Sequence, residues 1–469
     1  MAGGVLGPGS YYLLVYGCQM NEREAETIAG LLESEGLEGA GRVEDADVVV
    51  VHTCCVREGA ERKIRGRIGQ LQALRSARPG LVLAVGGCMV QQPGAAQRLA
   101  GRGRGVDVLY GTYNLARLPE LLHRARARRA AARPHCEVEL WPEPPPTGAW
   151  EGLPWRRARP LRAFVNVSYG CNNRCAYCIV PYVRGPERSR RPQAIADEVR
   201  RLVADGYREV TLLGQNVNTY GRDLGDTDFG ALLEAVNAVP GLWRIRYTTS
   251  HPRDFGPSLI DAVARLDKVC EHFHLPVQSG ADRILALMNR GYTREHYIAL
   301  ARAIRGRIPG AAITTDLIVG FPGEMEEDFE ATLDLVRRVE FDAAFTFMYS
   351  PRPGTPAAAM DGQVPLAVRQ ERLRRLMDAQ YPISLEKNRA LVGQEVEVLV
   401  EGASDADPER LVGRMRTNRI VHFPGEASLR GRLARVRVEL ARTFTLEGRL
   451  AGGAGGDGDG GGRGLGVAP

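Results

Sequence analysis

Cys171, Cys175 and Cys178 stand at C-x3-C-x2-C spacing, with Gly170 just before the first. A structural zinc site takes four ligands, usually with cysteines in C-x2-C pairs, and an ordinary iron–sulfur cubane takes four thiolates. Three thiolates in one tight loop hold a four-iron cube by three corners. The fourth iron stays open, and an open iron can bind a molecule that then reacts. The chain has nine cysteines in all. An odd number excludes a complete set of intramolecular disulfides, and thiols in a reducing compartment read as metal or redox ligands.

Three more cysteines recur at one kind of place. Residues 11–16 form an apolar strand pattern that leads to Gly17-Cys18. Residues 47–51 lead to Thr53-Cys54-Cys55, and residues 81–85 to Gly86-Gly87-Cys88. Helical patterns at 22–35 and 58–74 lie between them. Continuous apolar strands alternating with helices imply a parallel sheet buried on both faces. The carboxyl ends of its strands share one edge, where such folds bind ligands. Cys18, Cys54 and Cys88 are therefore expected to converge on a second three-thiolate site.

A proline-rich linker is expected at 127–160, where Pro142, Pro144, Pro145 and Pro146 preclude regular helix. The first cysteine loop directly follows a strand pattern at 162–169. Further strands at 209–213, 244–248, 273–277, 313–319 and 343–349 alternate with helical patterns. Six β/α units imply a partial (β/α)6 barrel, whose active groups gather at the carboxyl ends of the strands. Loops at those ends offer Gln215 and Asn216, Ser250 beside His251, and Gln278. His272 and His274 share one strand face and read as ordinary strand residues rather than a metal pair. Cys136 and Cys270 fall outside both sites.

After a long helix at 366–390 the hydrophobic period changes to two, which implies a small β-barrel over 389–451. Residues 410–449 hold ten arginines against three acids, while the whole chain carries only +6. A second basic run, residues 156–191, holds nine arginines and one acid around the cysteine loop. Clustered cations are the footprint of a phosphate backbone, so the barrel is expected to bind RNA, with Phe423 as a stacking ring. The Gly-rich residues 452–469 read as a disordered tail.

The chain's 469 residues suggest about three domains. The boundaries expected are 10–126, a linker at 127–160, 161–388 and 389–451, in an α/β chain. Hydrophobic and charged contents of 44% and 25% are ordinary for a globular protein. No apolar run is long enough to span a bilayer and no secretory leader pattern opens the chain, so a cytoplasmic location is expected.

The cysteine loop resembles that of the radical S-adenosylmethionine (SAM) enzymes, in which the open iron chelates SAM. Three further motifs resemble the N-terminal domain of the methylthiotransferase family: Tyr16-Gly17-Cys18-Gln19-Met20-Asn21, Thr53-Cys54-Cys55-Val56-Arg57-Glu58 and Gly87-Cys88-Met89-Val90-Gln91-Gln92. On this match Cys54 is the ligand and Cys55 the spacer, with an exchange between the two left open, and His52 replaces a usual Asn. The runs Cys178–Gly185, Gln215–Gly221 and His274–Gly280 are similar to the branch that acts on isopentenyladenosine in tRNA. Pro186 is a departure where Arg is common. Gly413–Arg419 resembles a TRAM domain, with Met415 for a usual Thr.

This resemblance implies a radical SAM barrel and two 4Fe–4S clusters. Cys171, Cys175 and Cys178 would hold the SAM-binding cluster. Cys18, Cys54 and Cys88 would hold an auxiliary cluster that carries sulfur. SAM would serve as radical source and methyl donor. The implied product is a methylthio group at C2 of N6-(dimethylallyl)adenosine, next to the anticodon at position 37. Implied partners are the tRNA anticodon stem-loop and a low-potential electron donor such as flavodoxin or ferredoxin; the sulfur donor stays open. The chain would act as a monomer away from membranes. The rival readings are a methylthiotransferase for threonylcarbamoyladenosine and a non-catalytic iron–sulfur RNA-binding protein.

Overall fold

A computed structural model describes residues 6–55, 58–100, 105–131, 135–146, 148–157, 159–405 and 407–451. The expected tail at 452–469, and Val56 and Arg57 of the middle motif, lie outside the described residues. The chain divides into two compact units, Met1–Ile383 and Ser384–Pro469.

The first unit begins with a six-stranded parallel sheet: β1 (Gly9–Val15), β2 (Leu37–Gly39), β3 (Val48–Thr53), β4 (Val82–Gly87), β5 (Val108–Tyr110) and β6 (Glu137–Glu139), in the order β2-β1-β3-β4-β5-β6. Alternation along β3 explains its unbroken apolar run. Val48 and Val50 pack with Ile28 and Leu32 of the helix Gln19–Ser34. Val49 and Val51 point the other way, onto Ile64, Ile68 and Leu71 of the helix Glu58–Ala77.

Strands β5 and β6 have three residues each and escape a periodicity reading. β6 corrects the expected linker, because part of 127–160 completes the sheet. The cause is local pairing: Glu137 N donates to Asp107 O, and the Glu137 carboxylate takes ion pairs from Arg124 and Arg128. The end of the same segment is also fixed, since Trp155 lies under the guanidinium groups of Arg23, Arg157 and Arg201 at 4.9–5.3 Å.

Six parallel strands then build the barrel as two three-stranded sheets. One holds β7 (Arg162–Asn166), with β10 (Glu209–Leu213) and β11 (Arg244–Thr248) to follow a small hairpin, β8 (Ser168–Tyr169) and β9 (Arg188–Ser189). The other holds β12 (His272–His274), β13 (Ala312–Val319) and β14 (Ala343–Met348). A single bridge, Ile245 to Val269, joins the first sheet to the segment entering β12. The barrel is open beyond β14, where Phe345 remains 54% exposed. Helices Pro192–Ala204, Phe229–Asn237, Pro257–Arg265, Arg294–Arg307 and Glu326–Val339 cover the outside through one continuous apolar core.

The parallel sheet and the barrel are bolted together by buried charge. Glu198, on the helix Pro192–Ala204, accepts from Arg23 (3.2 Å), Arg157 (2.8 Å) and Arg190 (2.8 Å). Burial opposes its ionisation, but those three cations outweigh burial and hold its carboxyl at about 2.

The second unit is a closed five-stranded barrel: β15 (Glu395–Ser404), β16 (Asp407–Met415), β17 (Ile420–Pro424), β18 (Leu433–Ala441) and β19 (Thr445–Leu450). It corrects one expectation. Phe423 is fully buried among Val398, Val421 and Leu446, so its ring cannot stack on a base. Phe444, in the turn between β18 and β19, is 63% exposed.

Candidate functional site

Gly170 turns the chain at φ +75°, and a Cβ there would lie 2.0 Å from Pro186 O, so only glycine can precede the first cysteine. The loop that follows is held from several sides. Cys171 N donates to Gly185 O (3.0 Å) and Cys178 N to Cys175 O (3.0 Å). Ala176 N donates to Met288 O, Asn289 Nδ2 to Arg174 O and Arg253 Nη2 to Asn173 Oδ1. Arg290 Nη1 lies 3.4 Å from Cys175 Sγ. Cys175 is buried; Cys171 and Cys178 are half-buried. Burial pushes the Cys171 thiol up to about 11 and Cys178 up to about 12. Such a pocket penalises bare thiolates and suits thiolates bound together with a cation.

The other cysteines meet at the carboxyl edge of the first sheet. Cys18 caps the helix Gln19–Ser34, Cys54 and Cys55 follow β3, and Cys88 opens the helix Cys88–Gln91 after β4. Close approach is possible because Gly17 has no side chain: a Cβ there would lie 2.3 Å from Cys54 Cβ. A hydrogen bond from Cys54, aided by the Arg184 charge, outweighs burial and pulls the Cys18 thiol down to about 6. A hydrogen bond with Cys55 likewise lowers Cys88 and raises Cys55. Four thiols thus converge, as Cys18 with Cys54 and Cys55 with Cys88. Among the described residues no three His, Cys, Asp or Glu side chains are placed to share one ion. A donor set made of cysteine sulfurs fits an iron–sulfur cluster, whose irons are held by thiolates.

The two cysteine sites adjoin. Ile179 directly follows Cys178 and packs, with Val183, against Cys55 and Cys88. One turn on, Arg184 Nη1 reaches Glu24 Oε1 (2.6 Å) and its Nη2 reaches Asn21 Oδ1 (3.0 Å). His52 Nε2 lies 2.9 Å from Glu24 Oε2. Burial opposes the Glu24 charge, but Arg184 and His52 more than offset it and hold the carboxyl at about 2. Sequence patterns do not mark Glu24 or Arg290, and they include Arg184 only as one residue of the Cys178–Gly185 run; the roles of all three depend on contacts between distant segments.

At the strand ends, several buried polar atoms have no hydrogen-bond partner: Ser168 Oγ, Asn216 Oδ1, Ser250 Oγ and His251 Nε2. Unsatisfied buried groups are rare and call for an explanation. They are hydroxyls, an amide oxygen and a ring nitrogen carried on the segments that follow β7, β10 and β11. Asn216 Nδ2 itself donates to Asp254 Oδ2 (2.9 Å). Gln278, four residues beyond β12, is buried at φ +74° and bridges to Leu317 of β13. Gln215 departs from the group, because its amide turns toward Met20 Sδ in the first sheet's helix. His272 and His274 both reach Thr314 Oγ1 at 3.1 Å, and His274 faces Asp316 at 3.5 Å.

Family models match three stretches of the chain: the radical SAM superfamily over residues 165–336, Uncharacterized protein family UPF0004 over 10–111 and the TRAM domain over 389–451. A relative from Moorella thermoacetica named tRNA-2-methylthio-N(6)-dimethylallyladenosine synthase is 59% identical over 445 residues, 95% of this chain and 99% of the relative. A relative of the same name from Desulforamulus reducens is 50% identical over 94% of this chain and 95% of its own. The solved radical SAM methyltransferase TsrM from Kitasatospora setae, with tryptophan and a SAM analogue bound, shares the fold at TM-score 0.54 and 17% identity, over 80% of this chain and 89% of that one. With its cysteine loop on a (β/α)6 barrel, a second thiol site on a parallel sheet and a terminal TRAM barrel, the chain belongs to the radical SAM family of tRNA-2-methylthio-N(6)-dimethylallyladenosine synthases.

Proposed function

We infer that this chain is a SAM-dependent methylthiotransferase that acts on N6-(dimethylallyl)adenosine of tRNA, replacing the hydrogen at C2 with a methylthio group. That C–H bond is neither acidic nor polarised, so a positioned base would not activate it. When bound, two 4Fe–4S clusters and SAM supply radical chemistry together with the sulfur and the methyl group.

The observation that carries the reading is the adjacency of the two thiol sites through Ile179–Arg184. Cys171, Cys175 and Cys178 would hold the SAM-binding cluster, and Cys18, Cys54 and Cys88 the auxiliary one. Ser168, Asn216, Ser250, His251 and Gln278 would line the SAM side. His251 would face it as a neutral imidazole, since burial and then the Arg290 charge push it down to about 3. Arg184 and Glu24 fix the helix that carries Cys18 against the loop that carries Cys178. The arginine-rich second unit would bind the anticodon stem-loop, and the target adenosine would be splayed out to enter the barrel.

The finer partners belong to the same proposal: a low-potential donor such as flavodoxin or ferredoxin, a monomer and a cytoplasmic location. No described helix is long and apolar enough to cross a membrane.

The test is anaerobic reconstitution with iron and sulfide, then SAM, reductant and tRNA bearing either isopentenyl or threonylcarbamoyl adenosine. Nucleosides are read by mass spectrometry. A methylthio product on the isopentenyl substrate alone is expected. Product on the threonylcarbamoyl substrate alone would move the chain to the sister activity. No product and no 5′-deoxyadenosine from fully clustered protein would favour a binding protein.

A further inference from the structure

Arg290 is 4% exposed. Its guanidinium is fully engaged: Nη1 donates toward Cys175 Sγ (3.4 Å) and Tyr177 OH (3.4 Å), Nη2 to Pro276 O (2.6 Å) and Nε to Tyr292 OH (3.1 Å). Each of these partners is formally neutral except the thiolate that a bound cluster would create. Other deeply buried arginines behave differently. Arg184 pairs with Glu24, Arg157 and Arg190 with Glu198, and Arg372 with Glu324. Among the described residues no carboxylate makes an ion pair with Arg290. A buried cation without a counter-charge is costly, and the protein interior tolerates it only where a negative group completes the pair.

We propose that Arg290 is the built-in counter-charge of the cluster held by Cys171, Cys175 and Cys178, and that its N–H···S hydrogen bond sets how easily that cluster accepts an electron. The proposal rests on the cluster assignment made above. Reduction adds one electron, from a low-potential one-electron donor, and breaks no bond to protein. The reduced cluster is one unit more negative, so a fixed positive charge 3.4 Å from a ligand sulfur favours it over the oxidised form. Hydrogen bonds to the sulfurs and the net charge of the site are established determinants of cluster potential. Arg290 also sits where it can report on the loop's position, because the preceding residues Met288 and Asn289 hold Ala176 and Arg174.

The test is an EPR-monitored redox titration of the reconstituted full chain, following the signal that shifts when SAM is added. Wild type is compared with Arg290→Gln, which removes the charge, and Arg290→Lys, which keeps the charge without the planar fork. Iron and sulfide content are measured on the same samples. The expected result is an Arg290→Gln cluster that is harder to reduce by tenfold or more, about 59 mV for a one-electron couple, with Arg290→Lys between it and wild type. Loss of the cluster from Arg290→Gln alone, with retention in Arg290→Lys, also supports a charge role. Equal potentials in all three overturn the proposal. So does loss of the cluster from both variants, which would make Arg290 a packing residue. Absence of any SAM-responsive signal from wild type would overturn the cluster assignment itself, and the proposal with it.

Discussion

Arg184 Nη1 lies 2.6 Å from Glu24 Oε1, and this pair ties the barrel's cysteine loop to the helix that starts at Cys18. Both side chains are buried, and His52 completes the group from β3. Removing one partner from such a pair leaves a buried charge uncompensated.

Arg184→Met is expected to destabilise the first unit by about 3–5 kcal/mol and to lower iron content at the auxiliary site more than at the SAM site. Thermal unfolding and iron analysis check this. Unchanged stability would show that Glu24 finds another partner.

In a background lacking Cys171, Cys175 and Cys178, only the auxiliary site can load. There Cys54→Ala should abolish cluster absorbance, while Cys55→Ala should retain it. The reverse pattern would make Cys55 the ligand, and loss in both would mean that all four thiols are needed to build the site.

The Glu198 hub gives a pH signature. Its folded pKa, about 2, lies below the ordinary 4.5. The stabilisation is therefore present above about pH 4.5 and is lost as pH falls toward 2. The shift corresponds to on the order of 3 kcal/mol. Glu198→Gln should be much less stable than wild type at pH 7, and the gap should close across that window. Denaturant midpoints at several pH values measure it; a gap independent of pH would remove Glu198 from the account of acid sensitivity.

Phe423→Ala should cost the second unit about 3–5 kcal/mol, as expected for a buried ring, whereas Phe444→Ala, at a ring that is 63% exposed, should cost much less. If Phe444 stacks on a base, its loss should weaken tRNA binding by about 1–3 kcal/mol. Gel-shift titrations of the full chain at fixed salt decide this, and equal affinity for Phe444→Ala and wild type would leave phosphate contacts as the whole interaction.

The elements with strong periodicity were legible in the sequence. Val48–Val51 announced a doubly buried strand, and the spacing of Cys171, Cys175 and Cys178 announced a loop with one open position. The placement of Cys18, Cys54 and Cys88 at strand ends followed from topology alone. What stayed hidden was short or long-range. Three-residue strands such as β6 carry no period. Phe423 and Phe444 are both aromatic residues in a basic barrel, but Phe423 lies on β17, whose pleat turns it inward, and Phe444 lies in the turn before β19. Arg290 sits in an unremarkable run, Met288-Asn289-Arg290-Gly291, and nothing local indicates that it will meet Cys175, 115 positions away.

Cys178 and Ile179 are consecutive residues, yet one would bind the SAM cluster and the other forms the wall behind Cys55 and Cys88. The spacing between the two reaction centres is thus set by a single peptide unit, like the jaws of a tool forged in one piece. Parting the sheet from the barrel to admit a substrate would tear that wall away. The proline-rich segment belongs to the same assembly, because Arg188 Nη1 donates to Pro145 O (2.7 Å), so a change in its length would be felt at the cysteine loop.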